Sequence, residues 1–166
     1  MDNSRKRKNE NGYTLVEIVV VVVVIGVIAT IAVNRFNAAK MTSNEASAVS
    51  AVKLVVNAQM AKATANSYAT FDELVADGSL DSTFQDGDGD PLTASRNGYL
   101  YKLTLAANSA VISAIPQSTG MITGTGRNRI GANQSGVIYK DENNLTTHYS
   151  TSADLTAGTS KVYDQQ

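Results

Sequence analysis

From Leu15 to Val33 the chain runs for nineteen residues in which only Glu17 and Thr30 carry polar side chains. Wound as a helix at about 1.5 Å per residue, this stretch is roughly 29 Å long, which matches the ~30 Å hydrocarbon core of a bilayer. The six consecutive valines Val19–Val24 favour a strand by local propensity. Strands rarely exceed about ten residues, however, and a single strand in lipid leaves its backbone N–H and C=O groups unpaired. A helix is therefore predicted. A secretory signal peptide also places an apolar run behind basic residues, but its run is typically about 7–15 residues long and ends at an Ala-x-Ala site. Here the run is longer, no such site follows at the right distance, and the helical pattern continues. A plain membrane anchor leaves Glu17 unexplained, because a carboxylate near the bilayer centre costs about 2.5–3.5 kcal/mol and less near an interface. A partner for Glu17 is expected.

Charge is distributed as unevenly as hydropathy. Arg5, Lys6, Arg7 and Lys8 precede the apolar run, opposed there only by Asp2 and Glu10, whereas beyond Gly12 ten Lys/Arg face thirteen Asp/Glu. The basic cluster fits retention on the cytoplasmic side of a membrane. The weakly acidic remainder lacks the clustered cationic face that nucleic-acid binding needs, so no nucleic-acid partner is predicted. The chain has no cysteine and one histidine, His148, in a polar stretch that predicts a solvated loop. Thiolate metal sites, disulfides and histidine-based hydrolytic triads are thereby excluded, and with no convergent acid, base and nucleophile the chain is not read as an enzyme.

The segment Lys6-Arg7-Lys8-Asn9-Glu10-Asn11-Gly12-Tyr13-Thr14-Leu15-Val16-Glu17 resembles the processing signal of type IV prepilins and of type II secretion pseudopilins. The resemblance covers about the first forty residues. It implies cleavage after Gly12 by a prepilin peptidase, methylation of the new N-terminus at Tyr13, and an assembly role for Glu17, with Thr14 beside it. It further implies a precursor held in the inner membrane, polymerised with copies of itself by an inner-membrane assembly platform into an extracellular pilus. The first mature residue of the family is usually phenylalanine, and here it is tyrosine. Gly12 has no Cβ to obstruct a peptidase, and Glu17 lies one helical turn beyond the cut, where it can meet the α-amino group of a neighbouring subunit. Many relatives carry a kinking proline where Asn34 stands, so the kinked helix of the family is not expected.

No glycine or proline interrupts residues 27–67. Ala46, Val49, Val52, Val56, Met60 and Ala63 recur at helical spacing, which predicts one helix from Tyr13 to about Asn66, apolar throughout its first half and amphipathic in its second. The domains expected are a leader, 1–12; the helix, 13–66, with 15–33 as membrane span and filament core; and a head, 67–166. Thr70-Phe71-Asp72-Glu73 reads as a capping box opening a short helix that ends at Asp77-Gly78. Residues 98–105, 110–115, 129–132 and 137–139 alternate as strands, so the fold class is α+β, a long helix packed at its C-terminal half against a small antiparallel sheet of three or four strands. Residues 141–166 are polar and predict a surface loop or an added strand.

Asp86, Asp88 and Asp90 alternate like the first ligands of a calcium loop. Pro91 falls where that loop needs glycine and Asn97 where it needs glutamate, so both a calcium site and a solvated turn stay open; no other cofactor is indicated. The function predicted is that of a structural subunit, a major pilin. The alternatives are a pseudopilin of a periplasmic filament, of a kind that often holds calcium in its head, and a minor pilin with an adhesive or DNA-binding role.

Overall fold

The computed structural model describes residues 12–63, 67–85, 90–120, 123–157 and 160–163. The chain divides into two compact units, residues 1–36 and 37–166. Helix α1, Leu15–Lys62, contributes its first 22 residues to one unit and the rest to the other. The predicted end of this helix at Asn66 lies outside the described residues, as do the basic cluster Arg5–Lys8 and the aspartates Asp86 and Asp88.

Within the second unit α1 is followed by α2 (Phe71–Ala76), a 3-10 turn (Ser82–Phe84) and six strands: β1 (Thr93–Arg96), β2 (Tyr99–Ala106), β3 (Ser109–Pro116), β4 (Arg129–Asn133), β5 (Ile138–Asp141) and β6 (Lys161–Val162). A short helix, α3 (Ser152–Thr156), falls between the last two. The strands form one antiparallel sheet in sequence order. The predicted α+β arrangement is borne out, with six strands in place of three or four. The strand missed at the front, β1, turns into β2 through Asn97 and Gly98, both at positive φ (51° and 75°). That is the two-residue hairpin loop whose twist suits paired strands. The strand at the back, β6, is the added strand that residues 141–166 left open, and it has only two residues.

The capping box at Thr70 is present, with Thr70 accepting from the Glu73 N–H and Glu73 accepting from the Thr70 N–H. It starts α2, which buries Phe71 and Leu74. These pack with Phe84, Tyr99, Tyr101 and Leu103 against Val52 and Val55 of α1. The buried stripe of α1 differs from the predicted one. Val49, Val52 and Val56 are buried, but Ala46, Met60 and Ala63 are exposed, and the face centres on Ala48, Val52, Val55 and Gln59. The face extends to Gln59, which is polar and therefore lies outside the apolar periodicity. Its side-chain amide donates to the Ala69 carbonyl (2.5 Å) and accepts from the Ala69 N–H (3.0 Å), so it satisfies a main-chain pair that would otherwise be buried without partners. The polar residues Asn44 and Glu45 likewise hold the 123–128 loop, at the Thr125 carbonyl, the Arg127 N–H and the Asn128 amide.

The polar C-terminal stretch does more than predicted. Tyr149 and Leu155 are fully buried against Val111, on the sheet face turned away from α1. Gly131 of β4 leaves the room, since a Cβ there would overlap the Tyr149 ring. The stretch is fastened by Arg129, whose guanidinium donates to Asp141 (2.7 Å) and to the Thr147 carbonyl (3.0 Å) and lies 3.7 Å from the Tyr149 ring centroid. Both ends of the ion pair are nearly dry, at 9% and 5% side-chain exposure. His148 is also drawn in. It is half-buried rather than solvated, and its buried Nδ1 has no hydrogen-bond partner among the described residues. Burial first, and then the charge of Lys102, push its pKa from 6.5 down to about 4, against a hydrogen bond to the Ser113 main chain. Burial disfavours the imidazolium because its charge loses water.

Two outcomes follow for stability. Asp141→Ala strands a buried guanidinium and should cost about 3–5 kcal/mol in urea unfolding, most of it recovered when Arg129→Met is added. Between pH 4 and 6.5 the unfolded chain binds a proton at His148 that the folded chain refuses. Stability therefore rises with pH across that window and is lost on acidification, by up to about 3 kcal/mol. His148→Gln should flatten that dependence in urea melts recorded at successive pH values.

Candidate processing and assembly site

Every residue from Gly12 to Phe36 is exposed, including Tyr13 at 79% and Leu15 at 80%. Taking a valine or isoleucine fully out of water stabilises by about 1.5–3 kcal/mol. A helix surface this long and this apolar, uncovered by its own unit, demands a cover from lipid or from other chains. The main chain already meets that demand, since a helix pairs its backbone groups internally. Thr30 Oγ1 donates to the Val27 carbonyl (2.7 Å), and the Asn34 side-chain amide to the Thr30 carbonyl (3.4 Å). Thr30 and Asn34 are thus satisfied by their own helix. At Asn34 the helix continues without interruption. A proline there would remove a donor and crowd the Thr30 carbonyl, whereas asparagine supplies an additional donor to it.

Thr14 immediately precedes the first helical residue. Its Oγ1 accepts from the Glu17 N–H (3.2 Å), and its carbonyl accepts from the Ile18 N–H (3.3 Å). That is the N-cap arrangement, with the side chain meeting one of the free donors of the first turn. Thr14 therefore has a structural role beside its predicted place in assembly. Glu17 stands in that first turn, where the helix dipole favours a negative charge. Its carboxylate has no hydrogen-bond or ion-pair partner among the described residues. A Cβ at Gly12 would meet nothing within 4 Å there, so packing among the described residues does not call for glycine. Gly12, Tyr13, Thr14 and Glu17 thus fall together at the start of α1, with accessible main chain, a cap and an unpaired carboxylate in sequence order.

Of the acidic loop, Asp90 alone is described. Its Oδ1 accepts from the Leu92 N–H (2.9 Å) and its carbonyl from the Thr93 N–H (3.2 Å), which turns the chain into β1. No cluster of three His, Cys, Asp or Glu side chains fit to hold a metal is found among the described residues.

The exposed apolar helix led by this capped, charged first turn is long and apolar enough to cross a membrane. Residues 7–33 match the family model of the prokaryotic N-terminal methylation motif, which is characteristic of the type IV pilins and pseudopilins processed by prepilin peptidase. The match takes in Gly12, Tyr13, Thr14, Glu17 and the whole apolar run. The motif marks structural, pilin-type proteins, and together with the apolar helix it is consistent with a membrane-anchored precursor. No curated protein and no solved structure matches the chain.

Thr14→Ala should cost the first turn about 1 kcal/mol. The effect is read as faster amide exchange at Glu17 in detergent-held chain, and Thr14→Ser should restore protection.

Proposed function

We propose that the chain is the major structural subunit of a type IV pilus-like extracellular filament. It is inserted in the inner membrane as a prepilin, cut between Gly12 and Tyr13, and polymerised through α1. The observation that carries this reading is a Glu17 carboxylate without a partner among the described residues, at the head of an apolar helix surface that those residues leave exposed. In lipid, the apolar surface is covered and Glu17 lies near an interface, where its charge is tolerable. In a filament the same surface is covered by other α1 helices. Cleavage creates an α-amino group at Tyr13, and methylation leaves it cationic. A neighbour's Glu17 is the acid that can neutralise it in that dry setting. An unpaired charge is costly there, so the pair selects one axial register over its alternatives.

The roles of the other partners follow. Prepilin peptidase reads the segment before Tyr13, and Gly12 gives it an unobstructed main chain. An inner-membrane assembly platform draws the cut subunit out of the bilayer, exchanging lipid contacts for contacts among identical helices.

N-terminal sequencing and intact mass of filaments sheared from cells should give a methylated Tyr13 as first residue. Recovery of the chain only as a soluble species cut beyond Ala32 would overturn the proposal, and recovery confined to the periplasm would assign it to a pseudopilus. Glu17→Ala should still be cut after Gly12, yet reduce surface filaments by about tenfold or more, the equivalent of some 1.4 kcal/mol per contact. Wild-type assembly by that variant would remove the register role.

A further inference from the structure

The closing edge of the sheet sets two like charges against each other. In the β5–β6 ladder Lys140 is directly opposite Lys161. Residues so placed project from the same face with their side chains close together, and like charges there are destabilising. The repulsion is only partly answered. Lys140 Nζ lies 3.9 Å from Glu45 Oε2 and 4.2 Å from the Tyr163 ring centroid. Glu45 is already engaged by the Arg127 N–H (2.6 Å) and the Asn128 amide (2.9 Å). Lys161 is exposed and has no ion pair among the described residues.

Both lysines line an open cavity of about 440 Å³ together with Asn128, Glu142, Asn143 and Tyr163, a size in the range of small-molecule sites. The polar groups are of two kinds. Two ammonium groups call for an anion between them. Two side-chain amides and the Glu142 carboxylate, which makes no ion pair with either lysine, suit hydroxyl groups that both donate and accept. Tyr163 adds a half-buried aromatic ring beside them. A ring bearing several hydroxyls and one carboxylate matches this set.

We propose that this cavity binds an acidic saccharide of the hexuronic-acid type, its carboxylate held between Lys140 and Lys161 and its hydroxyls by Asn128, Asn143 and Glu142. The site belongs entirely to the 37–166 unit and stands whether or not the chain forms filaments. By relieving the repulsion between the lysines, the carboxylate would bind where the empty site is least comfortable, and discrimination against neutral sugars follows from the same cause.

Full-length chain in detergent micelles is titrated calorimetrically with glucuronate, with glucose, and with acetate as the carboxylate alone. Saturable binding of glucuronate at millimolar concentration is expected, with glucose and acetate each weaker by about tenfold or more. Lys161→Gln should weaken glucuronate by about tenfold and raise the melting temperature of the ligand-free protein at low salt. Lys161→Arg should retain binding. Absence of saturable glucuronate binding overturns the proposal, as do glucose or acetate binding equal to glucuronate, and an unchanged affinity in a folded Lys161→Gln variant.

Discussion

The internal pairing of backbone groups in α1 is the constraint on which everything else rests. A run of valines and isoleucines can leave water only if its N–H and C=O groups are already bonded. The helix meets that condition before any partner arrives. Because the same helix continues past Phe36, its second half can change character without a break in hydrogen bonding. Residues 15–36 present apolar side chains outward on all sides, and residues 41–59 bury one face under the sheet. Thr14 satisfies one of the donors that the helix start leaves open, and near the other end Gln59 pairs the main chain of Ala69 in the connection that follows. Thr30 and Asn34 show the same economy within the span.

The head depends on a second device. A sheet with α1 on one face must protect the other, and among the described residues the C-terminal stretch buries two large side chains there, Tyr149 and Leu155. Two side chains contribute little burial by themselves. They are held in place because Arg129 ties Asp141, the Thr147 carbonyl and the Tyr149 ring to a central strand. A buried ion pair of this kind is costly to break, and it gains less over a well-packed apolar substitute than its short distances suggest. Its contribution is as much to fixing where residues 141–149 lie as to stability.

How much of this was legible in sequence varies with the distance over which the determining contacts act. The apolar span, the Thr70–Glu73 capping box and strands β2 and β3 are written in local periodicity, and the structure has them. The short segment Gly12–Glu17 was legible as a processing signal because its meaning lies in residue types at fixed spacing. Asn97-Gly98 carries the signal for β1 in the turn chemistry that positive φ requires, although Gly98 reads locally as the start of β2 and Asn97 as the last position of an acidic loop. Gln59 was misplaced because periodicity counts apolar residues, whereas its burial depends on two main-chain groups ten residues away. His148, Tyr149 and Leu155 lie in a stretch that is polar on average. Nothing local announces that Gly131, on another strand, leaves a hollow for them.

The fastening of that C-terminal stretch by charge has a consequence for where the protein can mature. With no cysteine in the chain, the head reaches its final form without an oxidant or a disulfide isomerase, and no thiol can loosen it afterwards. Its integrity therefore does not depend on the thiol–disulfide balance of its surroundings. A pair this dry is also shielded from salt, which screens exposed charges far more than buried ones. Acid acts differently, because it offers His148 a proton that the folded head disfavours and so loosens the stretch that salt leaves in place.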